Sequence, residues 1–282
     1  MLAPTIHELW FPPISRQLEM VKSKRFSIKY LRDGRALLNL GCDTRTHPLW
    51  NNLDFSIYAR LARRPRLAML GRKAGLISDA RYERLKGICA DVIVWDLRNG
   101  IPFSDRSFDG VYHSHFLEHL DREVAPAVVR ECRRVLKPGG TLRVVVPDLE
   151  CRILRYCASM DQLNVGHSEV IDEHEMAIGD IFEQVVRTVP ATLREQKPLV
   201  QAIERFLLGT AAARGEVHKW MYDRFTLPAV LTRCGFIGAA STGPVQGSRI
   251  EDWAEFHLDN NPDGTPHIQD SLYVEATRPT DG

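Results

Sequence analysis

The sequence predicts an α/β fold organised around an open parallel β-sheet. Residues 36–40 (ALLNL) form a short apolar run without helical periodicity that ends at Gly41, which is typical of a buried strand followed by a tight turn. Residues 52–54 (NLD) end a second short strand in a carboxylate, and residues 92–95 end a third just before Asp96. Glycine turns and acids after such strands lie at the carboxyl edge of the sheet, where open α/β sheets bind ligands.

The connection between the first two strands is unusually short. A parallel crossover normally needs a dozen or more residues and usually contains a helix. Residues 43–50 include Pro48 and show no helical period, so we expect a loop in place of a first helix. Asp43 stands where the glycine-rich turn of ligand-binding open sheets usually has a second glycine. Asp tolerates left-handed turn geometry, so the turn can still form.

The alternation of strands and helices continues along the chain. Apolar residues at helical spacing predict helices over 122–136 and 226–234, and the KPGG run at 137–140 is typical of a helix end. The third predicted strand extends over 88–97 in full. The four further predicted strands are 108–114, 141–146, 237–240 and 271–277, and the last of these alternates like an antiparallel strand.

Several of these segments together resemble a known family. SFDG (107–110), LEHL (117–120), RVLKPGG (134–140) and PDL (147–149) follow one another in the order found in class I S-adenosylmethionine-dependent methyltransferases, specifically the methyltransferase domain 11 type. The resemblance covers residues 36–150 well and 221–277 more loosely. It implies a single domain, 1–282, with a Rossmann-like seven-stranded class I methyltransferase sheet, helical insertions and a lid. S-adenosyl-L-methionine is the implied cofactor, and methyl transfer is the implied reaction.

The resemblance also implies a set of cofactor-binding residues. Gly41 would allow close backbone approach, Asp54 would bind the ribose, Asp96 would bind the adenine amino group and Leu97 would pack against the ring. The stretch 113–115 would lie near the methionine part. The complete predicted set is Asn39, Gly41, Cys42, Asp54, Asp96, Leu97 and His113.

Methyl transfer from a sulfonium is an in-line displacement that needs alignment and, for some acceptors, removal of a proton. His113 and His115 are the first candidates for a catalytic base because imidazole titrates near neutrality. His218 and Asp148 are second candidates. Each of the four also has an ordinary structural interpretation, and positioning alone suffices in many such enzymes.

His115, Glu118 and His119 match the H-x-x-E-H pattern of inverted zinc peptidases. That pattern needs both histidines on one helical face and a further carboxylate from another helix. Here it begins at a strand end, so we predict no metal site.

Two segments are predicted insertions. Residues 55–87 are helical and strongly basic, and they are either a docking surface for an anionic acceptor or a solvated helical face. Residues 150–216 are a helical lid of two or three helices. Its acid-rich run 169–175, with His167 and His174, is either a metal cluster or the solvated start of a lid helix.

The composition limits which binding partners and which location are expected for the protein. With a net charge of +1, the chain has no global field to recruit nucleic acid or a membrane surface. Six scattered cysteines without a C-x-x-C pair, no transmembrane segment and no secretory signal make the cytoplasm the expected location. The expected acceptor is a small molecule, a glycan or a lipid-linked group. Two alternatives stay open: a catalytically silent methyltransferase-fold scaffold, and a nucleic-acid methyltransferase that binds phosphates through the basic insertion.

Overall fold

The computed structural model describes residues 26–75, 77–185 and 218–281, which fold around one seven-stranded sheet. The strands are β1 Leu37–Leu40, β2 Asn51–Asp54, β3 Ile93–Val94, β4 Phe108–Ser114, β5 Leu136–Pro147, β6 Ile237–Thr242 and β7 Ser271–Thr277. Their order is β3-β2-β1-β4-β5-β7-β6, with β1 to β5 parallel and β7 antiparallel to both its neighbours. The predicted Rossmann-like seven-stranded sheet is confirmed.

Helices flank this sheet. They are α1 Ile57–Ala62, α2 Pro65–Lys73, α3 Asp79–Lys86, α4 Ala125–Val135, α5 Leu149–Asn164, α6 Ile171–Val185, α7 Thr226–Arg233 and α8 Trp253–Phe256. Short 3-10 turns occupy Leu97–Asn99, Leu117–His119 and Ser168–Val170. None of these helices is long and apolar enough to cross a membrane.

The core lies on both faces of the sheet because successive side chains of a strand point in opposite directions. On one face Leu38, Leu40 and Val111 join a cluster that includes apolar residues of α4 and α7. On the other face Leu37 and Tyr112 join an aromatic cluster around Trp50, Trp253 and Phe256. Near-continuous apolar strands are expected where helices cover both faces of a parallel sheet.

The connection from β1 to β2 is the loop that the sequence predicts, with no helix. Two buried amides hold it in place of helical hydrogen bonds. The Asn39 side chain donates to the Arg45 carbonyl at 2.8 Å, and the Asn52 side chain donates to the His47 carbonyl at 2.8 Å. Asp43 adopts a φ of 41°, the left-handed geometry expected of it.

Two predicted strand boundaries are wrong. The third strand spans only β3, because Ile88 and Val92 pack among the apolar side chains of α1 to α3 instead of extending the sheet. The fifth strand begins at Leu136, earlier than predicted. Leu136 pairs with Phe108, and the Lys137 ammonium binds both carboxylate oxygens of Asp109, so the KPGG run joins the sheet edge directly after α4.

The two predicted insertions follow β2 and β5 in the chain, and their boundaries stay predictions. Residues 55–87 form α1 to α3, which enclose a small apolar cluster of their own that includes Cys42. Residues 150–185 form most of α5 and all of α6, while 186–216 lie outside the described residues.

Candidate functional site

The carboxyl edge of β1, β2 and β3 carries the turn at Gly41. The Gly41 and Cys42 amides donate to the Leu53 carbonyl, at 2.8 and 3.3 Å, so the turn folds back onto β2. Gly41 has a φ of 59°, and a Cβ there would lie 3.0 Å from the Phe116 ring. Both the backbone angle and the close approach of Phe116 therefore favour glycine at this position.

Asp54 lies directly beneath that turn. Its Oδ2 accepts from the Asp43 amide at 2.7 Å, and its Oδ1 accepts from the Ser56 amide. Only 5% of the residue is exposed. Asp54 therefore fastens the glycine turn and the start of α1. A carboxylate has about four lone-pair sites, so about two remain for a ligand.

The other predicted cofactor residues near this edge differ in accessibility. Asp96 follows β3 and is partly exposed, and the backbone ties it to β2, since the Trp95 amide donates to the Asp54 carbonyl at 3.0 Å. Leu97 is partly buried against the main core. Asn39 and Cys42 are buried, and the Asn39 amide is engaged by the loop.

His113 lies at the end of β4, fully buried. Neither of its ring nitrogens has a hydrogen-bond partner among the described residues. Burial lowers the pKa of His113 to about 4, against the opposing effect of Glu118. The ring is therefore neutral at physiological pH, which makes it a weak base there.

His115 adopts the left-handed conformation, with φ of 50°. Its Nε2 lies 3.1 Å from the Ser271 hydroxyl at the start of β7, and its Nδ1 lies 3.3 Å from Glu118 Oε1. His115 therefore links β7 to the turn that follows β4. It lies outside the 3-10 turn Leu117–His119, so the single-helix geometry of an inverted zinc peptidase is not formed.

Glu118 is a functional candidate that the sequence argument passed over. Its side chain is completely buried beneath His115, His119 and His218. Burial raises the Glu118 pKa, but the hydrogen bond and charge of His115 and the charges of His119 and His218 outweigh it and hold the pKa below its ordinary value. The glutamate in LEH was visible in the sequence, but its histidine surroundings were not.

The main chain of Glu118 also positions His218. The Glu118 carbonyl accepts hydrogen bonds from the amides of Lys219 and Trp220, at 2.7 and 3.2 Å. As a result His218 Nε2 lies 3.9 Å from Glu118 Oε1, and the His218 and His119 rings are 4.8 Å apart. Three predicted or neighbouring histidines thus converge on one carboxylate.

Asp148 is the remaining candidate base, and its carboxylate bonds to the start of a helix instead of to that cluster. Its carboxylate accepts from the Glu150 amide at 3.0 Å and caps the N-terminus of α5. An N-cap of this kind is an ordinary structural role.

Several basic side chains of the predicted insertion 55–87 form ion pairs. Arg72 pairs with Asp79, Arg84 with Asp43, and Lys86 with Glu83. In the predicted lid, His174 contacts the Ser159 hydroxyl and His167 contacts Glu169, and no metal-ligand cluster forms there among the described residues.

Part of this chain matches a known protein family. The methyltransferase domain family matches residues 70–144, which run from α2 into β5. The family resemblance is confirmed over that stretch. The matched residues include Asp96, Leu97, His113, His115 and Glu118, while Gly41 and Asp54 precede them. The match supports S-adenosylmethionine as the cofactor.

Solved structures of methyltransferases are also similar, at low identity. A putative methyltransferase from Haloferax volcanii, in complex with the Trm112 activator, is 14% identical, with 94% of this chain and 90% of that chain covered and a TM-score of 0.40. A SAM-dependent methyltransferase from Archaeoglobus fulgidus is 14% identical, with 94% and 92% covered and a TM-score of 0.35. Scores this low carry no inference about activity. No curated protein matches the chain.

The residues at the carboxyl edge fit this cofactor in part. The glycine turn and Asp96 follow parallel strands that are separated only by β2, so both lie at the carboxyl edge where open α/β sheets bind ligands. Asp54 lies between them but is mostly covered, with both oxygens engaged by the loop amides. A ribose would have to use the remaining lone pairs of that carboxylate.

Proposed function

We propose that this protein transfers a methyl group from S-adenosylmethionine to a small-molecule, glycan or lipid-linked acceptor. The observation that carries the proposal is the methyltransferase-domain match over residues 70–144, which includes Asp96 and also Glu118 and His119. S-adenosylmethionine supplies the methyl group on a sulfonium, so the protein's task is alignment of the acceptor with that group.

In the proposed site, the Gly41 turn and Asp54 support the ribose side and Asp96 binds the adenine. His113, fully buried and neutral, packs against Phe116 with a ring separation of 5.7 Å and belongs to the wall of the pocket. His115 and His218 stay the candidates for holding or accepting a proton from the acceptor, because each lies close to the Glu118 carboxylate that would stabilise a protonated ring.

The nature of the acceptor rests on weaker support. Arg63, Arg64 and Arg66, where α1 meets α2, form no ion pair with a described residue, so a cationic surface remains beside the cofactor edge. Such a surface favours an anionic acceptor. All six cysteines are free thiols, in keeping with the cytoplasm as the proposed location.

Calorimetric titration of S-adenosylmethionine and S-adenosylhomocysteine into the protein tests the proposal. We expect a micromolar dissociation constant, about −8 kcal/mol, for the unaltered chain. Asp96→Asn should weaken binding about tenfold, since a tenfold change corresponds to about 1.4 kcal/mol. Asp105→Asn is the matched control, because Asp105 is an exposed acid whose ion-pair partner is Arg134.

Absence of binding to the folded protein would overturn the proposal and favour the scaffold alternative. If binding is found, radiolabelled methyl transfer to separate pools of metabolites, glycans and lipids identifies the acceptor class. Labelling of RNA or DNA, with an affinity that falls steeply with salt, would instead favour the nucleic-acid alternative.

A further inference from the structure

We propose that Glu118, His119 and His218 form a binding site for a divalent transition-metal ion of the zinc type. One ligand atom from each of the three residues lies within 4.8 Å of the others. Two imidazoles and one carboxylate are a ligand set that zinc and related ions prefer. The inference does not depend on cofactor binding. With an ion bound, His218 is a ligand, and His115 remains the candidate for accepting a proton.

The strongest support is the state of the Glu118 carboxylate. The residue is 0% exposed, yet neither carboxylate oxygen has a hydrogen-bond partner of good geometry among the described residues. Its Oε1 lies 3.3 Å from His115 Nδ1 and 3.9 Å from His218 Nε2. A buried carboxylate that has only such long contacts with imidazoles is poorly compensated, and coordination to a cation is one of the few arrangements that would complete it.

His119 supplies an independent observation. Its Nδ1 is also buried and has no hydrogen-bond partner among the described residues. The His119 residue as a whole is partly exposed. One of its ring nitrogens lies within 4.8 Å of the ligand atoms of Glu118 and His218.

The three ligand atoms are farther apart than they would be around a bound ion. Two ligand atoms each about 2.1 Å from one ion in tetrahedral geometry lie about 3.4 Å apart. Ligand atoms that are now up to 4.8 Å apart therefore have to approach each other by as much as about 1.4 Å through side-chain rotation on binding.

His115 has a supporting role in this arrangement. It contacts Ser271 through one nitrogen and Glu118 through the other, and so it orients the carboxylate as outer partners of metal ligands commonly do. Three protein ligands leave a coordination position for water or for an oxygen of the acceptor.

The test is direct binding of Zn²⁺ and Co²⁺ to untagged protein after treatment with a chelator. We expect one equivalent of Co²⁺ with visible absorption typical of nitrogen and oxygen ligands, displaced by Zn²⁺. Glu118→Gln, His119→Gln and His218→Gln should each weaken binding at least about tenfold, a loss that even outer partners of a metal site produce. His167→Gln is the matched control, because His167 also faces a glutamate, at 3.0 Å, but in an exposed pair.

Three outcomes would overturn the proposal: no stoichiometric ion on the folded, chelator-treated protein, unchanged affinity in His218→Gln, or an equal loss in His167→Gln. Circular dichroism establishes that each variant is folded. If Glu118→Gln does not fold, His218→Gln decides, because its residue comes from a separate segment of the chain. Ion binding without any affinity for S-adenosylmethionine would uphold this site while rejecting the proposed function.

Discussion

Two buried groups of charges in this protein are built in opposite ways. Arg143 on β5 is fully buried, and its guanidinium donates to Asp259, Glu275, Thr242 and the carbonyls of residues 243 and 244. Glu118, equally buried, has no hydrogen bond of good geometry to either oxygen among the described residues. The first group is complete within the fold, whereas the second is left incomplete.

The acids around Arg143 are completed by further donors. The Tyr112 hydroxyl donates to Asp259 Oδ1 at 2.5 Å, and the Ser248 hydroxyl and Arg249 amide donate to the two oxygens of Glu275. A fully satisfied buried network stabilises one arrangement of the strands and loops that it joins. Glu118 lacks donors of good geometry among the described residues, which is why its cluster is the better candidate for function.

The largest expected effect comes from removing the centre of the satisfied network. Arg143→Leu leaves Asp259 and Glu275 buried without their cation, so the free energy of unfolding should fall by about 3–5 kcal/mol. Urea denaturation measures it. Arg106→Leu removes an ion pair that is about half exposed and should change stability by less than about 1 kcal/mol. Equal losses in the two variants would mean that burial of the Arg143 pairs adds nothing.

A smaller loss of stability is expected when one outer donor of the same buried network is removed. Tyr112→Phe removes the hydroxyl donor to Asp259 while keeping the ring that packs on Trp50 and Trp253. A hydrogen bond to a charged group contributes about 1.5–3 kcal/mol, so the unfolding free energy should fall by about that amount. Tyr30→Phe, at an exposed tyrosine, is the control and should leave the urea midpoint unchanged. An unaltered midpoint for Tyr112→Phe would show that Asp259 is satisfied without it.

The smallest loss of stability is expected at Glu118. In chelator, Glu118→Gln removes a buried charge that no donor of good geometry compensates. The unfolding free energy should therefore either rise or fall by less than about 1 kcal/mol. Thermal and urea unfolding both measure it. A loss as large as that of Arg143→Leu would identify Glu118 as part of a structural ion pair and erase the contrast between the two groups.

Much of the fold followed from short stretches of sequence. The apolar run before Gly41, the helical spacing of Val128, Val129 and Cys132, and the alternation over 271–277 predicted β1, α4 and β7 because each reflects burial of one face or both faces of a local element. The absence of a helix after β1 was predicted from Pro48 and the lack of periodicity. The third strand was overestimated because apolar residues such as Val92 pack on the insertion helices, and local sequence does not distinguish these two uses of an apolar side chain.

The sequence by itself determined the element order, the glycine turn and the acids at strand ends. Only the tertiary structure decided what those groups contact: Asp54 fastens the turn, and Glu118 meets His218 from the other half of the chain. The physical reason is that elements form from periodic, local burial, whereas a buried charge is defined by its partners. Those partners depend on strand order and register, and no spacing between residues in the sequence encodes the distance between their side chains.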